Sequence, residues 1–559
     1  MDSSVAVVAK DNGSSVDAMD SANGGNNGHA SGRNDDDTTA TTGITAGAHF
    51  LYSMVLSLTF LSHSYLIISV FPYAGYMAMQ LVPGVNAQSS GAYAGLISSS
   101  FMLGRVFTSY YWGKWADRYG RRSMLEISLF CGGILSLFFG LSTNFGVALF
   151  IRFLMGVSNG ILGNTKTIMT EVAYGNKRLE SRGMGMAIGM WGWAFLFTPI
   201  VSGSLSAPVQ QYPHNPLVQQ YHNLLSSYPF LLPNVVALLL CFGTLIALRC
   251  IVPETLENAR NPAWIPHDTL QWIWSKRRRP QPQGEQLVLV EHNNNDSKPT
   301  EPYGSNGNAA EEDRANPPAT IRSVWSNVST RQHLWVYWMY AFITMAIDEG
   351  FPLFCIGGLG LSETEIGQIL SVSGLVFAPA QYVVYGNVLH AFGLYNAIHV
   401  GTFFSCPLVV FLPLAFYWNT STTSTTTVTT MGGRSIATTT TNLSWQAFGW
   451  LALVMAVERI FGMVFFSTVT MACNQTVPAH YRATMNGLAT VGGSVAKGIG
   501  PALAGILVSV CLSLFPHNTV SAAMALFGTL SLIALAISVL SWFLLREPRR
   551  QQQQEQQIQ

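Results

Sequence analysis

The sequence predicts an all-α membrane protein, with twelve transmembrane helices in two pseudo-symmetric six-helix bundles. Three observations lead there. The 559-residue chain is 49% hydrophobic and only 10% charged, where soluble domains carry roughly 25% charged residues. Its apolar residues gather into runs long enough to cross lipid, which takes roughly 20 residues per helix. Motifs in one half recur at matching places in the other.

The runs lie at 50–79, 91–112, 123–142, 146–170, 184–206, 230–253, 333–357, 366–389, 396–418, 446–470, 485–513 and 520–545. Six precede and six follow the polar stretch 255–330. The organisation expected is a disordered cytoplasmic tail (1–47), an N-terminal bundle (48–254), a flexible cytoplasmic linker (255–330), a C-terminal bundle (331–545) and a Gln-rich cytoplasmic tail (546–559). The Gly-, Ser- and Asn-rich tail cannot bury enough apolar area to offset its ordering entropy. No basic segment followed by a short apolar one opens the chain, so the run from about Phe50 is expected to act as an uncleaved signal anchor.

Orientation follows from the short loops, because Lys and Arg stay in the cytoplasm. With the N-terminus inside, the inner loops hold Lys114, Arg118, Arg121, Arg122, Lys177, Arg178, Arg182 and Arg482, whereas Arg434 stands nearly alone outside. The sequons at Asn419 and Asn442 then face out, and those at Asn295 and Asn327 face in. The net charge of +1 gives no reason to expect a nucleic-acid partner. Seven cysteines without paired spacing read as small buried residues, and no His- or Cys-rich tract suggests a metal.

The repeat shows in two places. Gly113-Lys-Trp-Ala-Asp117-Arg118-Tyr-Gly120-Arg121-Arg122 follows the second run, and Gly386 and Gly393, also seven apart, follow the eighth. In the fifth and eleventh runs a proline and a glycine stand four apart, as Pro199 with Gly203 and as Gly500-Pro501 with Gly505. Duplicated bundles of this kind place a transport site at their interface near mid-membrane.

The Gly113–Arg122 loop resembles the G-x-x-x-D-R-x-G-R-R signature of the major facilitator superfamily, and Arg152-x-x-x-Gly156 is similar to its second motif. Within that superfamily the second run up to Arg105, Asp348-Glu349-Gly-Phe-Pro352 and Lys497-Gly-Ile-Gly-Pro501 resemble the zinc-induced facilitator-like group. The resemblance implies proton-coupled movement of small organic molecules by alternating access, without a cofactor. It also implies that Gly113, Asp117, Arg118, Gly120, Arg121 and Arg122 form a conformational gate. The partners expected are the lipid bilayer, a small-molecule substrate and protons, with the carrier monomeric in the plasma or vacuolar membrane. A multidrug/proton antiporter of the same fold and a non-transporting receptor are the alternatives. No nucleophile–base pair, HExxH or phosphate loop favours an enzyme or an ATP-driven pump.

Ionisable groups inside lipid are costly, so they mark function. The chain offers Arg105, Arg152, Asp348, Glu349, Glu458, Arg459 and Lys497. Glu458 and Lys497 each lie twelve residues into their runs, ~18 Å deep. They are expected to approach each other near Arg459, either as part of the path or as a static bridge. Asp348 and Glu349 point ~100° apart, so one of them faces the path. Pro352 loosens the helix just after them. Burial disfavours an ionised carboxylate, which suits Glu349 as the principal proton carrier and Asp348 as second; the plainer reading is a helix-end acid in the outer vestibule. Arg105 and Arg152 either pair with polar groups such as Asn159 or attract an anionic substrate. Trp335, Tyr337, Trp338 and Tyr340 read as an interfacial belt.

Overall fold

The computed structural model describes residues 46–174, 176–256, 321–418, 424–431, 434–441, 443–478 and 481–545. The tails, most of the 255–330 stretch and the sequons at Asn295, Asn419 and Asn442 lie outside these residues.

The N-terminal half contains α1 (Ala46–Ile68), α2 (Ala74–Leu81), α3 (Ser90–Tyr119), α4 (Arg121–Gly140), α5 (Phe145–Val157), α6 (Ile161–Glu171), α7 (Lys177–Leu205) and α11 (Leu231–Ile251). Three short helices, α8 (Pro208–Gln211), α9 (Pro216–Gln220) and α10 (His222–Ser227), bridge α7 to α11. The C-terminal half contains α12 (Ile321–Ser326), α13 (Val328–Gly357), α14 (Glu363–Phe403), a 3-10 stretch (Cys406–Trp418), α15 (Trp445–Gln475), α16 (Arg482–Leu514) and α17 (Thr519–Leu544). Between the 3-10 stretch and α15, β1 (Ser424–Met431) pairs antiparallel with β2 (Arg434–Thr441).

Among the described residues, ten segments are long and apolar enough to cross a membrane. One of them, 363–418, contains two spans, because α14 turns at Gly393. The remaining span is α3, whose serines and Arg105 make it less apolar than the others. Ten segments, one of them double, plus α3 give the twelve spans. Helix starts are marked locally: Asn144, Asn176, Asn327, Ser444 and Asn518 accept hydrogen bonds from the first free backbone N–H groups. Ser362 and Glu365 form a capping box at the start of α14. Exposed side chains such as Phe107, Phe130, Phe150, Leu239, Leu375 and Leu532 make the lateral surface apolar, as lipid requires.

Both sequence echoes have structural counterparts. Gly120 turns α3 into α4 with φ 103° and ψ 138°, and Gly393 turns the first span of α14 into the second with φ 72° and ψ 176°. These extended positive-φ conformations are nearly confined to glycine. The two proline–glycine pairs lie in the seams between the halves. The most extensive helix pairings in the molecule are α3 on α16 and α7 on α14. In one seam Gly95 meets the Pro501 carbonyl and Gly91 faces Gly505; in the other Gly367 meets the Pro199 carbonyl and Gly203 faces the Glu363 carbonyl. A side chain at Gly91 would place its Cβ 2.8 Å from the Gly505 oxygen. The backbones touch because those residues lack one.

Candidate functional site

Relative to the membrane plane, the molecule has a basic end, where the Gly113–Arg122 turn lies, and an opposite end. At the opposite end the halves are sealed. The Tyr76 hydroxyl donates to the Leu361 carbonyl at 2.6 Å, Thr364 donates to Gln211 at 2.6 Å, and Gly357 abuts the Ala87 backbone. Toward mid-depth Gln381 still donates to the Gly189 carbonyl at 2.9 Å. Nearer the basic end a cavity of about 220 Å³ opens, lined by α3, α6 and Thr490 of α16.

Between the seal and the cavity lies the acidic pair of α13. Asp348 accepts a hydrogen bond from Arg459 of α15 at 3.2 Å. The other guanidinium nitrogen donates to Ser373 of α14, and the guanidinium lies 4.0 Å from the Phe195 ring centroid on α7 of the other half. All three charged or polar side chains are buried. Glu349 projects elsewhere. It is 1% exposed, and neither carboxylate oxygen has a hydrogen-bond partner among the described residues. Ser98 of α3 and Arg152 of α5, both from the other half, act on it, as does the like charge of its neighbour Asp348. Arg152 donates to the Leu66 carbonyl at 2.9 Å and lies over the Phe101 and Phe139 rings. Pro352 has no N–H for the Asp348 carbonyl one turn back.

Glu458 and Lys497 form no ion pair among the described residues. Glu458 is fully buried inside the C-terminal half, with Cys406 donating to Oε1 at 3.7 Å and no partner on Oε2 among the described residues. Lys497 lies 5.2 Å from the Phe466 ring. Equal depth was not enough, because side chains lean toward their own helix N-terminus. The α15 N-terminus is at the opposite end and that of α16 at the basic end, and both groups act on Asp348. The aromatic cluster of α13 divides as well. Trp335 is exposed, but Tyr340 is buried and hydrogen-bonded to Ser405 beside Glu458.

At the basic end Asp117 pairs with Arg121 at 3.3 Å, and Arg121 also pairs with Glu171 of α6. Arg118 lies against Tyr119. Glu254, just past α11, accepts from the backbone N–H groups of Arg121, Arg122 and Ser123 at 2.9–3.3 Å and so caps α4. Arg122 reaches Glu126 and the Val252 carbonyl, and Arg249 reaches Glu126 at 2.9 Å. Glu126, Glu171, Arg249 and Glu254 were not singled out from sequence, and neither was Lys166, which lines the cavity with Arg105.

Two bundles joined by matched seams, enclosing buried charge and open at one end, define a polytopic membrane transporter. The model of the Major Facilitator Superfamily matches residues 42–445, and the chain belongs to that superfamily. A probable peptide/nitrate transporter of Arabidopsis thaliana is 27% identical over 476 residues, 83% of this chain and 84% of the relative. Protein zinc induced facilitator 1 of the same plant is 27% identical over 455 residues, 80% and 82% of the two chains. A crystal structure of a D-xylose-proton symporter aligns over 89% of this chain and 98% of that one, with a TM-score of 0.60 and 12% identity, and shares its fold.

Proposed function

We propose that this protein is a proton-coupled secondary carrier of a small organic solute, working by alternating access with its basic end and both termini in the cytoplasm. One observation carries the reading. The Glu349 carboxylate lies buried between the halves, without a hydrogen bond among the described residues, and faces Ser98 and Arg152 across the interface. A carboxylate so placed is cut off from water while enclosed and reached by water or Arg152 once the halves part. Rocking of one half against the other would alternate those surroundings. The paired Asp348 is held by Arg459, which leaves Glu349 as the group free to load and release.

The seams supply the moving parts. Sealing at the opposite end with a cavity at the basic end is what an inward-facing carrier requires. Asp117 is mostly exposed and bonded only within its own half among the described residues, which fits a gate released in this state.

The test is transport in proteoliposomes. A screen under an imposed pH gradient identifies a solute that wild type accumulates. Glu349→Gln should still exchange that solute at equal pH but lose the accumulation. Accumulation that keeps its full response to the gradient would reject the proton role of Glu349.

A further inference from the structure

We infer that the cavity at the basic end is a binding site for a compact organic anion carrying two or more negative charges, held by Arg105 and Lys166 with Lys497 deeper along the same path. The inference rests on the carrier reading and adds the substrate class.

Arg105 and Lys166 both line the cavity, from α3 and α6. Arg105 is 8% exposed, yet among the described residues its only side-chain hydrogen bond is to the Met102 sulfur at 4.0 Å, and Nε has no partner. Lys166 lies exposed to the cavity and makes no ion pair among the described residues. The two act on each other as like charges, and both act on Lys497, which also feels the opposite charge of Asp348. Lys497 follows Thr490, the α16 residue on the cavity wall, by seven residues, so it lies on the same helix face ~10.5 Å deeper. Buried amide atoms accompany the cations: Asn159 Oδ1 and Asn164 Nδ2 line the wall without partners among the described residues.

Acidic groups near the cavity already have partners. The other charged pair on the wall, Asp117 and Arg121, is already satisfied. Asp348 is held by Arg459 and also acts on Lys497, and Glu349 faces Arg152. Arg105 and Lys166 on the wall, with unsatisfied polar atoms beside them and Lys497 deeper beside Asp348, form a field that an anion completes. A cation would be repelled, and a neutral solute would leave the buried Arg105 uncompensated. The volume, about 220 Å³, is below the usual ~300–1,000 Å³ of ligand pockets, so the anion is small. Because the cations come from α3, α6 and α16, the anion would bridge the halves.

The experiment is equilibrium binding to the full-length protein in phosphatidylcholine nanodiscs. The probes are radiolabelled succinate, phthalate and citrate, competed with their uncharged ethyl esters and with tetraethylammonium. At least one acid should bind saturably, and neither the esters nor tetraethylammonium should displace it. Losing a charged hydrogen bond weakens binding about tenfold or more, so Arg105→Gln and Lys166→Gln should each raise Kd by that factor. Arg105→Lys should recover part of the loss, and Lys114→Gln, off the cavity wall, should change nothing. Absence of acid binding, displacement by esters, or unchanged affinity in both Gln variants would overturn the inference. Vesicle uptake separates the two readings. Gradient-driven uptake of a neutral or cationic solute without acid binding removes the anion site and keeps the carrier. Acid binding without any flux does the reverse.

Discussion

Gly95 and Gly367 make the two-seam geometry testable. In Gly95→Ala the new Cβ would overlap the Pro501 carbonyl oxygen and lie 3.0 Å from its carbon; in Gly367→Ala it would overlap the Pro199 oxygen and lie 3.1 Å from its carbon. Neither obstacle is a flexible side-chain tip, so the helices must part. Overpacking of this kind costs about 1–3 kcal/mol. The cost falls on the state whose opposite end is sealed, so the ratio of that state to its alternative should drop about 5- to 150-fold for either variant. The seams are separate, so the effects should roughly add in the double variant. The assay is modification by an impermeant maleimide of one introduced cysteine at a time. Leu361→Cys, buried at the seal, should label faster in the glycine variants, and Thr167→Cys, on the cavity wall, should label more slowly. Gly386→Ala is the control, since a Cβ there meets nothing within 4 Å. Unchanged labelling at both cysteines, in variants that melt like wild type, would refute the claim that these seams set the conformation.

Other expectations follow from single contacts. Arg459→Gln leaves Asp348 buried without its cation, which costs about 3–5 kcal/mol; Arg459→Gln with Asp348→Asn should melt higher than Arg459→Gln alone. Glu254→Ala removes the cap of α4, and a loss of about 0.5–2 kcal/mol should appear in the melting temperature. Gly120→Ala and Gly393→Ala each force a side chain into a nearly glycine-only conformation, at about 1–3 kcal/mol, and the two should be destabilised to a similar extent.

Long apolar runs were legible because lipid permits little else, and the structure places helices over each predicted run. Breaks within runs were harder to read. The first run is interrupted over 69–73 around Pro72, and the fourth between Val157 and Ile161. Both interruptions are apolar enough to hide in a hydropathy pattern. The repeat was readable because glycine at a positive-φ turn and glycine at a close backbone approach tolerate no substitute.

The buried charges were identifiable as residues but not as partners. Depth along a helix is countable from sequence, whereas the direction a side chain leans depends on which neighbour faces it. Hence Arg459 meets Asp348, and Glu458 and Lys497 form no ion pair among the described residues. Lys166 escaped notice because a lysine near the basic end of a span looks like an ordinary positive-inside residue. Glu126, Glu171 and Glu254 escaped because their partners are up to 133 positions away in the chain.

The claim that Glu349 exchanges a proton with the path can be measured without knowing the solute. Proteoliposomes on a solid-supported membrane, given a pH jump, should show a transient charge displacement in the wild-type protein and in Glu180→Gln, and none in Glu349→Gln. A displacement of full size in Glu349→Gln would contradict the account.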